Sequence, residues 1–181
     1  MTTPPTFVSG AILTAAQMNA IGLWQVSSTT VGSAVTTHVV SNCFSADYVN
    51  YKLVINGMTG TDLGAALFLK PSATTGSTYF GNDVENVPGT ASIAAVSSSN
   101  ATSTGMWLGR ISTSGIMGFE AVIYSPFLAT TTNLTNAFAG RNYNGSGGTH
   151  DSNAASSTGF TLFVSAGTIS AGSVRVYGFN S

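Results

Sequence analysis

His150 and Asp151 are adjacent, and with a serine they would supply the parts of a nucleophilic hydrolase. Such a site needs a hydroxyl to attack, an imidazole to take its proton and a carboxylate to orient the imidazole. The arrangement argues against it. Consecutive side chains diverge on a strand, and no Gly-x-Ser-x-Gly elbow presents a serine. Glycoside hydrolysis needs two carboxylates across a cleft. Of the six acids, only Asp83 and Glu85 lie close together, in Gly81-Asn82-Asp83-Val84-Glu85-Asn86. That segment reads as a solvated loop. Its oxygens are also of the kind that bind Ca²⁺, but without the spacing of an EF-hand. No zinc-ligand set or phosphate loop occurs, so no catalytic residue, metal or cofactor is expected. Glycan binding is the remaining chemistry. Sugars are held by aromatic faces flanked by amides and carboxylates, and Tyr79, Phe80 and Tyr143 stand near Asn82, Asp83, Arg141 and Asn142. On the alternative reading, these aromatics pin long loops to the body of the protein.

The elements that would carry these residues read as β. In residues 159–181, Phe160, Leu162 and Val164 alternate with polar or outward positions, and Val174 and Val176 alternate with Arg175. A period of two marks strands with one buried face. These residues read as a closing hairpin around Ala166–Gly172, with Ile169 tucked beneath its turn. Leu23–Thr30 and Ala34–Val40 read as a second hairpin around Val31-Gly32-Ser33, with Val35, Thr37 and Val39 on one face and His38 on the other. Asn50–Asn56 places Tyr51, Leu53 and Ile55 inward and Lys52 outward. Ala65–Lys70, Gly105–Ser112 and Ile116–Tyr124 complete the expected strands, the last with Phe119, Ala121 and Ile123 on one face. Residues 71–104 and 129–158, rich in Ser, Thr, Gly and Asn, read as long polar loops. The expectation is an all-β, jelly-roll-like antiparallel sandwich over 25–181.

Residues 1–24 read as an arm. Pro4-Pro5 begins extended. Thr14-Ala15-Ala16-Gln17 has the form of a capping box, and Leu13 and Met18 are spaced as a hydrophobic staple. The predicted helix, about 15–21, has only two turns and must dock on something to persist. Leu13, Met18, Ile21 and Trp24 form its apolar face, turned either to its own domain or to a partner.

Composition narrows the class. Charged residues make up 6% of the 181-residue chain and apolar residues 43%. The charged share of typical soluble domains is about 25%. Ser, Thr, Asn and Gly fill the polar positions. Such a surface gives little repulsion between copies and few long side chains to order at contacts. Both features suit a protein built into an assembly, and equally a secreted β protein with a hydroxyl-rich surface. The five cations are scattered, so no nucleic-acid footprint is expected. Cys43 is the single cysteine and reads as a small buried hydrophobe. No signal peptide and no stretch suited to membrane insertion is apparent, so synthesis in the cytoplasm is expected.

Two stretches carry a family resemblance: PPTFVSGAILTAAQMNAIGLW, residues 4–24, and GFTLFVSAGTISAGSVRVYGFN, residues 159–180. Both resemble the ends of small virion proteins of tailed bacteriophages, the tail-fibre, minor tail or head-decoration proteins of marine and actinobacterial phages. Between them, Ala46–Leu53 and the Phe119–Tyr124 strand are similar to strands of that family. The resemblance implies a β-sandwich, often a homotrimer, displayed on a virion among other virion proteins. The arm would serve for attachment, and the varied loops would face the host surface and its glycans. It implies no catalysis and transfers no functional residue, and it leaves tail and capsid positions both open.

Overall fold

The computed structural model describes residues 10, 22–32, 34–75, 79–86, 93–97 (backbone only), 105–113, 116–140 and 143–180. The expected helix at 15–21 and its residues Leu13, Met18 and Ile21 lie outside the described residues, as does Arg141.

Twelve described strands form two antiparallel sheets packed as a sandwich. They are β1 (Trp24–Val31), β2 (Thr37–Val40), β3 (Asn50–Gly60), β4 (Ala66–Pro71), β5 (Tyr79–Asn86) and β6 (Ile93–Ser97). The rest are β7 (Met106–Arg110), β8 (Met117–Tyr124), β9 (Thr132–Gly140), β10 (Asn144–Asp151), β11 (Phe160–Val164) and β12 (Ile169–Phe179). The large sheet runs β1-β12-β3-β8-β9-β10-β5-β6, and the small one β2-β11-β4-β7.

Alternation explains the core. Tyr51, Leu53 and Ile55 on β3, Phe119, Ala121 and Ile123 on β8, and Val174 and Val176 on β12 turn inward in register. Phe160 and Leu162 on β11 and Leu67 and Leu69 on β4 meet them from the small sheet. Each Val, Leu, Ile or Phe among them contributes about 1.5–3 kcal/mol through removal from water. Lys52 turns outward and pairs with Glu120 at 2.7 Å. Ile169 and Cys43 are buried as expected, and burial pushes the Cys43 thiol up to about 12.

Both expected hairpins are corrected. β11 and β12 lie in different sheets, and so do β1 and β2. Each pair has an apolar inner face, and in a sandwich those faces bury most when they oppose one another across the core. The chain therefore turns a corner between sheets. Ser165 holds one end of the last corner: its N–H donates to the Ala66 carbonyl (2.9 Å) and its hydroxyl accepts from the Ala66 N–H (3.0 Å). The reciprocal bonds of Val35 and Ile169, 2.9 and 2.8 Å, hold the other. On β2 the expected facing is reversed. Val39 is 59% exposed, while His38 is half-buried and its Nε2 bonds the Thr29 hydroxyl of β1 at 2.8 Å. That contact spans the gap between the sheets, and burial lowers the His38 pKa.

The largest correction concerns the two polar stretches. Residues 71–104 contain β5 and β6, and 129–158 contain β9 and β10. Four strands of the large sheet thus come from sequence that reads as loop.

Candidate functional site

β9, β10 and β5 are neighbours, and their two faces differ in chemistry. Outward, the register aligns Phe80 with His150 and Asn133, and in the next row Asn82 with Gly148 and Thr135. Phe80 and His150 stack with ring centroids 5.2 Å apart and planes 21° from parallel. Gly148 leaves a low floor between Asn82 and Thr135, because no side chain rises there. The result is an open groove of about 540 Å³ lined by Phe80, Asn82, Asn133, Thr135, Gly148 and His150. It offers an aromatic wall, two amides, a hydroxyl and an imidazole, with no carboxylate.

Inward, the same strands carry polar groups between the sheets. Glu85 accepts from Arg110 of β7 through Nε (2.6 Å) and Nη2 (3.0 Å). Arg110 Nη1 donates to the Gly64 carbonyl at 2.8 Å, and the guanidinium lies 5.9 Å from the Tyr143 ring centroid. This bidentate fork satisfies a carboxylate that burial would otherwise penalise. Asp151 accepts from the Thr74 hydroxyl and from the Asn153 N–H, the latter at 3.0 Å. Asn136 Nδ2 donates to the Leu108 carbonyl at 2.9 Å. A register shift between β4 and β7 leaves Leu108 without a ladder partner, and that bulge frees its carbonyl for Asn136. Asp83 is 1% exposed and neither carboxylate oxygen has a partner. Desolvation pushes its pKa up to about 7.

The glycan-site residues expected from sequence are therefore divided. Phe80 and Asn82 face the groove; Tyr79 and Asp83 lie on the inner face of the same strand, because neighbours on a strand alternate. Tyr143 packs against Arg110 and does not line the groove. Asp83 and Glu85 do not sit on a solvated loop; both are buried on β5. His150, Asn133 and Thr135 join the groove without having been singled out for it. Their signal was the register of β9 on β10, which a single sequence does not display. His150 and Asp151 diverge to opposite faces, which removes them as a catalytic pair. Among the expected docking residues, Trp24 is described: it begins β1, pairs with Gly178, and its buried indole N–H has no partner.

No family profile, curated protein or solved structure matches the chain.

Proposed function

We propose that this chain is a non-enzymatic structural protein of a tailed-bacteriophage virion, most nearly a tail-fibre or tail-associated protein. Residues 1–24 anchor it and the sandwich is displayed, as a homotrimer, beside other virion proteins. It is made in the host cytoplasm and resides in the particle. The observation that carries this reading is the layout of the large sheet. The arm leads into β1 at one edge, and the groove strands β9, β10 and β5 lie toward the other, with β12, β3 and β8 between. On this reading, attachment at the β1 edge and display toward the β5 side would fall at opposite parts of one sheet. The resemblance of residues 4–24 and 159–180 to virion proteins supports the same reading, and so does the sparse charge. Capsid decoration, as a cement or head-fibre protein, is the alternative. Mass spectrometry of purified virions tests the proposal: the chain should be present at a fixed copy number, low and a multiple of three for a tail position, high for decoration. Its absence from particles would refute both.

A second reading, a carbohydrate-binding module for host adsorption, is favoured by the outer groove. Amide and hydroxyl groups beside an aromatic wall match a neutral sugar. On a glycan array, Phe80→Ala and Asn82→Ala should lose binding with little change in melting temperature. No binding by the intact chain would remove this reading and leave the virion role standing.

A further inference from the structure

We propose that Asp83, Asn136 and Thr149 form an interior binding site for a hard, oxygen-seeking cation of the calcium type. All three are buried, with 1%, 6% and 3% exposure. Both oxygens of Asp83, Oδ1 of Asn136 and Oγ1 of Thr149 have no hydrogen-bond partner. They belong to one patch of the inner face. Gly147 of β10 pairs with Asp83 on one side and with Asn136 on the other. Thr149 is the next inward residue of β10.

Glycine makes room for the gathering. A Cβ at Gly147 would fall 1.7 Å from Asp83 Oδ1, so the carboxylate lies over that backbone, on the side toward Asn136. At Gly81 the β10 strand comes close: a Cβ there would fall 2.5 Å from the Gly148 carbonyl oxygen and 2.7 Å from Thr149 Oγ1. The Asn136 amide is held with its nitrogen on the Leu108 carbonyl, which leaves Oδ1 as the free end.

The chemistry left over is rich in acceptors. The ionised Asp83 carboxylate and the amide oxygen only accept, and the Thr149 hydroxyl can also donate. Arg110, the cation of the neighbouring β7, is already bound to Glu85 and to the Gly64 carbonyl. A buried carboxylate with no counter-charge is costly. A hard cation held in this patch would give these oxygens the partner they lack. The donors are all oxygen, with no imidazole or thiolate, which selects calcium-like ions over zinc and other transition metals. The irregular donor set also suits Ca²⁺ better than Mg²⁺, which demands a near-ideal octahedron. A single carboxylate places the affinity with weak sites, on the order of 10⁻⁴–10⁻³ M.

The test is thermal unfolding of the full chain after EDTA treatment and dialysis, with CaCl₂, MgCl₂ and NaCl in separate arms and choline chloride matching ionic strength. Millimolar Ca²⁺ should raise Tm by a few degrees, increasing with concentration. Asp83→Asn, close to isosteric, should abolish the shift, Thr149→Val should reduce it, and the surface control Glu120→Gln should keep it. Calorimetry should give one site per chain. An equal response to Na⁺ alone would support the site and assign it a monovalent ion. Absence of any cation-specific shift, or the same shift in Asp83→Asn, would overturn the proposal.

Discussion

The large sheet is built from two halves that obey one geometry with opposite chemistry. In β12, β3 and β8 the inner positions are mostly apolar, as in Val174, Val176, Leu53, Ile55 and Phe119, while edge strand β1 adds Val31 beside the polar Ser27 and Thr29. In β9, β10 and β5 they include Thr132, Asn136, Thr149, Asp151, Asp83 and Glu85, interleaved with Gly145, Gly147 and Gly81. The first half is held by surface removed from water, which is non-directional and tolerant of small shifts. In the second, the apolar contacts of Tyr79, Leu134 and Phe138 are joined by inward hydrogen bonds and one ion pair, which demand fixed partners. Its glycines permit leaning: where one strand lacks a side chain, the neighbour's polar group fills the space. The same half carries the outer groove. Structural tolerance is concentrated beside β1, and chemical specificity beyond β8.

The contrast can be broken most strongly in the apolar half. Leu53→Ala empties a fully buried site in β3 and should cost about 2–5 kcal/mol by denaturant titration. A loss under 1 kcal/mol would mean that this half is not the stabilising one.

In the polar half, Arg110→Ala strands the buried Glu85. The Arg110 side chain is 31% exposed, so the cost should be about 2 kcal/mol, short of the roughly 3–5 kcal/mol of a fully buried pair. Adding Glu85→Gln should restore part of it, and a double mutant no better than the single would show that the pairing is unimportant.

Asp83 gives a pH signature. Its folded pKa, about 7, lies above the ordinary 3.8, so the native state holds a proton that the unfolded chain has released. The stability contributed is intact below pH 4 and declines as pH rises through 7. In EDTA, Asp83→Asn should therefore exceed the wild type by roughly 1–3 kcal/mol at pH 8 and match it near pH 4. A difference independent of pH would contradict the assigned burial.

The smallest effect belongs to the surface. Lys52→Ala removes an ion pair with side chains 28% and 58% exposed, and should change stability by about 0–1 kcal/mol, less at high salt.

The two halves also differ in how far sequence reveals them. Tyr51, Leu53 and Ile55 announce a strand because alternation of apolar and polar residues is the signal of a half-buried strand. Thr132, Leu134, Asn136 and Phe138 alternate inward just as strictly, yet polar residues hold two of the four inner positions. Asn144-Gly145-Ser146-Gly147-Gly148 resembles a turn in every residue, and gains its strand conformation from β5 and β9 on either side. Tertiary pairing outweighs local preference there. The groove suffered for the same reason. Phe80 and Asn82 were visible as chemistry, but Asn133 and His150 are brought to them by register across β10. The two hairpins failed differently. Short spacing suggested pairing between neighbours, and only the opposed apolar faces of a sandwich send them to separate sheets.

The central claim is that the chain is anchored on a virion at its β1 edge and displays the β9-β10-β5 half outward. Cryo-electron microscopy of the assembled phage particle tests it most directly. The account predicts sandwich density on the tail, with β1 toward the particle and the Phe80–His150 groove facing solvent. Particles without this chain, or with that groove packed against the particle wall, would contradict it.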